Sequence, residues 1–155
     1  MTPAIDTAKK TKIKFRVHQY VHDPASRSYG EEAAEKLGIL PGRVFKTLVA
    51  ELDSRNLAVS VIPVDRQLNL KAFAKALGAK KAKMADKKDV ERSTGYVLGG
   101  VSPIGQKKRL PTRIDQSAEQ FETIFISAGR RGLEIELAPQ DLAELTGGKF
   151  EIIGK

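Results

Sequence analysis

VFKTLVAELDSRNLAVSVIPV, residues 44–64, contains two runs of apolar and β-prone residues. The runs Phe45–Leu52 and Leu57–Val64 are joined by Asp53-Ser54-Arg55-Asn56, whose residue types favour turns. This pattern predicts a β-hairpin. Because both runs are apolar on each face, we expect the two strands to lie in the centre of a sheet rather than at its edge.

The rest of the chain mixes helix and strand patterns without a regular β-α-β order. Many of the strands are joined by turns, and there is no internal repeat or linker. The sequence therefore predicts one α+β domain over residues 1–155, with a mixed, largely antiparallel, barrel-like sheet and helices around it. The predicted helices are 2–10, 28–38, 69–77, 86–93 and 139–145, and the further predicted strands are 13–20, 123–127, 133–137 and 150–153.

The length and composition exclude several classes of protein. A chain of 155 residues with 41% hydrophobic residues can bury a core, and no apolar run approaches the ~20 residues of a membrane helix. The N-terminal segment has no apolar run typical of a signal peptide. The chain has no cysteine, which excludes disulfides, thiolate metal sites and a protein thiol nucleophile. We expect a cytoplasmic protein with no cofactor and no metal.

The formal net charge of +8, from 27 basic and 19 acidic residues, favours an anionic partner such as nucleic acid. A well-solvated surface would explain the same excess. The sequence does not decide whether the basic clusters converge on one face. The clusters are residues 9–16, Lys80, Lys81 and Lys83, Lys107–Arg109 with Arg113, and Arg130 with Arg131.

A glycine-rich segment, Arg92–Pro111, ends in the cationic triplet Lys107, Lys108 and Arg109. Glycines permit positive φ and let a ligand approach bare backbone, and the basic run supplies charge for a polyanion. The segment indicates a site where backbone N–H groups meet a bound group with phosphates nearby.

Lys46 is the most informative single position outside that segment. By strand alternation it shares an apolar face with Leu48, Ala50 and Leu52. A lysine there lies either at the mouth of a pocket, as a binder of phosphate or carbonyl groups, or snorkels from a strand end.

Two carboxylates, Glu134 and Glu136, project from one face of their strand about 6.5 Å apart. Their spacing suits paired carboxylate chemistry, and an ordinary solvent-facing strand explains it equally well. Ser127 and the following Ala128-Gly129 turn offer hydroxyl and amide donors. With no recognisable nucleophile motif, an enzyme of this sequence would use water or a group on its own substrate.

The chain resembles the YbaK/EbsC family of aminoacyl-tRNA deacylases, which is related to the editing insertion domain of bacterial prolyl-tRNA synthetase. The similarity covers nearly the whole chain. It rests on Met1–Ala4, Val44–Leu48, Ala74–Lys81, Met84–Asp86, Arg92–Tyr96, Gly99–Pro103, Gln106–Pro111 and Arg131–Leu137.

The resemblance implies removal of cysteine from mischarged tRNA(Pro), in which the substrate thiol attacks its own ester and forms a thiolactone. It implies a key role for Lys46, with backbone amides at Gly99 and Gly100 holding the aminoacyl carbonyl. It places Tyr20, Tyr29, Thr47, Ser127 and Glu134 in the substrate pocket, and Lys107, Lys108, Arg109, Arg130 and Arg131 on tRNA.

The chain departs from the family pattern at Tyr29, where we expect Phe, and at Glu134, where relatives carry Asp. The expected partners are charged tRNA(Pro) and prolyl-tRNA synthetase, with no membrane and a monomer or weak dimer. Two alternatives stay open: a deacylase that removes alanine or serine with a positioned water, and a tRNA-binding or synthetase-binding module without turnover.

Overall fold

A computed structural model describes residues 1–26 and 28–155. In chain order the elements are α1 (Pro3–Lys10), β1 (Phe15–Gln19), α2 (Tyr29–Leu37), β2 (Phe45–Leu52), β3 (Leu57–Pro63), α3 (Leu70–Ala76), β4 (Ala82–Met84), α4 (Lys87–Thr94), β5 (Thr112–Asp115), β6 (Ile124–Arg130), β7 (Leu133–Leu137), α5 (Pro139–Thr146) and β8 (Lys149–Glu151). Single 3₁₀ turns occupy Pro41–Arg43 and Gln116–Gln120.

The hairpin β2–β3 lies inside a five-stranded sheet of order β4-β2-β3-β5-β8, which confirms its predicted central position. Its register pairs Phe45 with Pro63 and Glu51 with Leu57. β2 and β4 also pair antiparallel, whereas β3–β5 and β5–β8 pair parallel. The sheet is therefore mixed, as expected.

A second, three-stranded antiparallel sheet has the order β1-β7-β6. A parallel bridge between Val44 and Phe125 connects the start of β2 to β6. The α+β class is confirmed, but the strands of the described ranges form two joined sheets and no closed barrel. The barrel-like closure fails because β1 and β8 each end their sheet with no strand pairing them to the other sheet.

Two strands were not predicted, because each is short and interrupted by charge. Ala82–Met84 forms β4 only through pairing with the end of β2, and Thr112–Asp115 forms β5 between β3 and β8. The first strand begins at Phe15, two residues later than expected.

The two faces of β7 are buried in different ways, and this positions the site. Leu133, Ile135 and Leu137 enter the main hydrophobic core. The opposite face, with the two glutamates, lies on the side where α2 packs. There a small apolar cluster joins Ala33, Ala34, Val44, Val64 and Phe125.

Local signals fix the ends of several helices. The Thr2 and Asn69 side chains accept hydrogen bonds from the first turns of α1 and α3. Gly38 ends α2 with a φ of 68°, as predicted. None of the helices that the described residues form has the length and apolarity that crossing a bilayer requires.

Candidate active site

A cavity of about 410 Å³ lies beside the first half of β2, within the size range of small-ligand sites. β4 pairs only with Ala50, Glu51 and Leu52, and a bridge joins Val44 to Phe125, so the cavity lies at the part of β2 between these contacts. Parts of α2, β6, β7 and the glycine-rich segment close the cavity. Its lining includes Tyr20, Tyr29, Lys46, Thr47, Gly99, Ser127, Arg130, Arg131 and Glu134 from the predicted site residues, with Glu31 and Leu98 in addition.

Lys46 lies in this cavity and is half-buried. Burial lowers the pKa of its ammonium group, and the nearby charges of Glu31 and Asp65 oppose that shift. Within the described residues, no carboxylate lies within 4.0 Å of its Nζ atom. Of the two interpretations drawn from sequence, the pocket position is the one that the structure shows.

The Thr47 hydroxyl is the second polar group that the first half of β2 contributes. Its Oγ1 atom is buried and has no hydrogen-bond partner among the described residues. A buried hydroxyl without a partner costs free energy. Lys46 and Thr47 both line the cavity, and the Thr47 hydroxyl itself is buried beneath its surface.

Glu134 is buried, with 7% of its surface exposed, so the interpretation of a solvent-facing strand is wrong for this residue. It lies on the central strand β7, opposite His18 of β1 and Ser127 of β6. Burial raises the pKa of its carboxyl to about 8. Burial also raises the pKa of Tyr20, and the Glu134 charge adds to that effect.

Glu136, the other carboxylate of the pair, does not line the cavity. Its carboxylate accepts hydrogen bonds from His18 Nε2 at 2.9 Å, from Thr123 Oγ1 at 2.6 Å and from Arg43 Nη2 at 3.3 Å. The hydrogen bonds from Thr123 and His18 and the charges of His18 and Arg43 lower its pKa despite its burial. Paired carboxylate chemistry is therefore wrong, because one group is a structural anion and the other is a buried acid.

Tyr29 and Arg131 form a stack at the edge of the cavity. The guanidinium carbon of Arg131 lies 3.6 Å from the centre of the Tyr29 ring, a close cation–π geometry. Gly99, with a φ of +93°, lies against both side chains. A Cβ atom there would stand 2.7 Å from Arg131 Nε and 2.8 Å from Tyr29 Cε2.

Gly100 does not line the cavity, and its N–H group is already used. It donates to the Val97 carbonyl oxygen at 2.9 Å, which closes a turn with Gly99 at the position that needs positive φ. The expectation that the Gly100 amide holds the substrate carbonyl is therefore corrected. Of these two glycines, Gly99 is the one that lines the cavity.

The Ser127 hydroxyl oxygen accepts a hydrogen bond from the Gly129 N–H at 3.1 Å. Ser127 therefore keeps its own proton for a ligand, whereas the Gly129 amide is occupied. This bond lies at a β-bulge, where the register of β6 against β7 shifts between Ser127 and Arg130. The bulge places Arg130 and Arg131 at the cavity.

The triplet Lys107, Lys108 and Arg109 is exposed but does not line this cavity. Lys108 and Arg109 line a separate groove with Thr7 and Thr146. The predicted tRNA-binding residues thus form two groups, and only the arginine pair lies at the candidate site.

The model for the aminoacyl-tRNA editing domain matches residues 23–145. EbsC of Enterococcus faecalis, whose name describes a proposed Cys-tRNA(Pro)/Cys-tRNA(Cys) deacylase, is 43% identical over 149 residues, covering 96% of this chain and 90% of that one. This chain belongs to the aminoacyl-tRNA editing domain family. The expected family, and with it the expected class of enzyme, an aminoacyl-tRNA deacylase, is confirmed.

Two further likenesses extend this assignment. The proline–tRNA ligase of a Thermoanaerobacter species is 29% identical over 118 residues, which cover 75% of this editing domain and 20% of the ligase. A crystal structure of a proposed trans-editing enzyme for prolyl-tRNA synthetase has the same fold, with a TM-score of 0.85 at 21% identity over 100% of this chain and 99% of that one.

Some cavity residues of this editing domain were not predicted. Glu31 lies at the start of α2, and its charge acts on Lys46. Leu98 could have been predicted to line the cavity because it precedes Gly99 in the sequence, whereas no sequence pattern shows that Glu31 reaches the cavity. In the two ranges that the structure describes, no three His, Cys, Asp or Glu side chains cluster as metal ligands would. The lining instead concentrates hydrogen-bond donors and one buried acid.

Proposed function

We propose that this protein removes cysteine from mischarged tRNA(Pro) and that the cavity at Lys46 is where the ester is cleaved. The observation that carries the proposal is a half-buried ammonium in a cavity of about 410 Å³ that is also lined by Ser127 and the buried acid Glu134. Such convergent donors suit a polar, anionic ligand whose reacting group develops negative charge.

In the proposed complex the Lys46 ammonium binds the terminal adenosine or its phosphate. The Gly99 N–H donates a hydrogen bond to the aminoacyl carbonyl oxygen, and Tyr20 and Tyr29 enclose the amino-acid side chain. The substrate's α-ammonium lies against Glu134 and provides the positive charge that this buried carboxyl lacks. Thr47 lines the cavity beside Lys46, and Ser127 donates to a remaining substrate oxygen.

We propose that the reaction needs no protein nucleophile. The cysteine sulfur attacks its own ester carbonyl carbon, a C–S bond forms, and the bond to the ribose oxygen breaks. The thiol proton passes to that oxygen, which leaves as the free tRNA hydroxyl. The thiolactone product departs and is hydrolysed by water. Lys46 holds the adenosine end of the substrate in place, and the Gly99 amide stabilises the carbonyl oxygen as it gains charge.

We propose that Arg130 and Arg131 contact the phosphates near the tRNA terminus and that Lys107, Lys108 and Arg109 contact phosphates farther away. Such contacts weaken as the salt concentration rises and do not distinguish one nucleotide sequence from another. Selection of tRNA(Pro) therefore requires a further source of specificity. We propose that prolyl-tRNA synthetase supplies it, in the cytoplasm, to a monomer or weak dimer of this protein.

The test is deacylation of tRNA(Pro) charged separately with cysteine, alanine, serine and proline. The wild type is compared with Lys46→Ala and with Lys71→Ala, which removes an exposed lysine of α3 outside the cavity. We expect loss of cysteine alone, with a rate about 100-fold slower in Lys46→Ala and unchanged in Lys71→Ala, because losing the anchor misplaces the reacting ester.

The other results separate the alternatives. Rapid loss of alanine or serine would reject the thiol mechanism and favour a water held at the Ser127 hydroxyl. Wild-type rates in a folded Lys46→Ala protein would reject the role of Lys46. Binding of charged tRNA without any turnover would favour the binding module.

A further inference from the structure

A second groove adjoins the candidate active site and is not used by the reaction proposed above. It has a volume of about 460 Å³ and is lined by Val97, Leu98, Gly100, Gly129, Arg130 and Arg131. Three of these, Leu98, Arg130 and Arg131, also line the Lys46 cavity. A linear ligand can therefore occupy both without a gap.

We propose that this groove binds the nucleotide preceding the terminal adenosine of the substrate, its base on Val97 and Leu98 and its linking phosphate on Arg130 and Arg131. The proposal rests on the proposed function, because it assumes that the terminal aminoacyl-adenosine occupies the Lys46 cavity. It adds a nucleotide subsite that determines how the tRNA end is held.

The apolar side of the groove is exposed although its backbone is firmly held. Val97 and Leu98 are 67% and 48% exposed. The Leu98 N–H donates to the Glu91 carboxylate at 3.0 Å, and the Gly100 N–H closes the turn onto Val97. Two large aliphatic side chains fixed in solvent favour contact with a flat apolar group such as a nucleobase.

The floor of the groove is backbone. A Cβ atom on Gly100 would stand 3.1 Å from the Cα atom of Arg130, and Gly129 has a φ of +103°. A Cβ atom on Gly129 would stand 2.6 Å from Tyr96 Cε1, so both glycines permit the close packing that forms this floor.

The charged side of the groove is set for a phosphate. In the part of the chain that the structure describes, neither Arg130 nor Arg131 forms an ion pair within 4.0 Å. Stacking on Tyr29 holds the Arg131 guanidinium plane, which leaves N–H donors for an anion. The phosphate that links the last two nucleotides of a tRNA would pass this point as it leaves the cavity.

Two small ligands test the subsite by calorimetric titration of the intact protein: adenosine, and the dinucleotide cytidylyl-(3′→5′)-adenosine, which adds one phosphate and one base. We expect the dinucleotide to bind about 10-fold more tightly than adenosine. Val97→Asp places a negative charge in the groove and should abolish that preference while leaving adenosine binding unchanged. Ile152→Asp is the matched control, because Ile152 is 74% exposed and lies outside both cavities.

Equal binding of adenosine and the dinucleotide by the wild type would overturn the subsite, as would a preference that Val97→Asp leaves intact. Deacylation of Cys-tRNA(Pro), measured in parallel, keeps the two proposals apart. Activity without a dinucleotide preference rejects the subsite alone. A preference without activity supports the subsite and rejects catalysis. If neither ligand binds and no charged tRNA is cleaved, both proposals fail.

Discussion

Glu134→Gln should stabilise the protein, and the gain should grow with pH. The folded protein holds the Glu134 proton up to a pKa of about 8, whereas the usual value is 4.5. Between these pH values the unfolded chain releases a proton that the folded chain keeps, so the folded state becomes less stable as pH rises. The stability is fully present below pH 4.5 and is lost as pH rises through 8.

The size of the effect follows from the same two values. At about 1.36 kcal/mol for each pH unit, the buried carboxyl costs roughly 3 kcal/mol at pH 7 and roughly 5 kcal/mol above pH 8. These figures are upper limits, because water entering the cavity solvates the charge. Glutamine has nearly the same shape and no charge, so the variant should match the wild type near pH 4.5 and exceed it increasingly above.

Urea unfolding of the two proteins from pH 5 to pH 9 measures this difference directly. Glu122→Gln is the control, because Glu122 is exposed and should show no trend. A free-energy difference between wild type and Glu134→Gln that stays constant from pH 5 to pH 8 would refute the reasoning. It would mean that the carboxyl ionises in the folded state as easily as in the unfolded chain.

Gly99→Ala should lower the stability by about 1–2 kcal/mol through backbone strain and should also displace Arg131. Gly38→Ala is the control, because its Cβ atom meets no atom within 4 Å and it should cost only the strain. Thermal unfolding should show a loss of stability in both variants, whereas only Gly99→Ala should slow deacylation. Thr47→Val should raise the free energy of unfolding by about 1 kcal/mol, because it removes a buried hydroxyl without a partner; a destabilised variant would show that the hydroxyl has one. Glu136→Leu should cost about 1–3 kcal/mol at pH 7 in urea unfolding, since it leaves partly buried donors without their acceptor; an unchanged free energy of unfolding would contradict the structural role.

The hairpin β2–β3 could be predicted because its signals are local: two apolar runs and a turn of suitable residues. Strands β4 and β5 could not, because each exists only through pairing with a strand distant in sequence. The parallel pairing of β5 with β3 and β8 has no short-range signature. The hydrophobic pattern of the sequence therefore could not predict the order of the strands in the sheet.

The candidate site shows the same division. The alternation of β7 correctly puts Glu134 and Glu136 on one face, but the burial of Glu134 depends on elements that come together around the cavity from distant parts of the chain. The sequence also could not predict that the Gly100 N–H is used within the protein, because this depends on the turn that it closes with the Val97 carbonyl. The family resemblance predicted most of the residues that meet at the cavity but not Glu31, and tertiary packing decides their ionisation and free donors.

The most direct test of the central claim is the number of turnovers on Cys-tRNA(Pro) at an enzyme concentration far below that of the substrate. The proposed function predicts many equivalents of tRNA released by each wild-type molecule and a rate about 100-fold lower with Lys46→Ala. No release beyond the uncatalysed rate by the wild type, with and without prolyl-tRNA synthetase, would contradict the proposal that this cavity cleaves the ester.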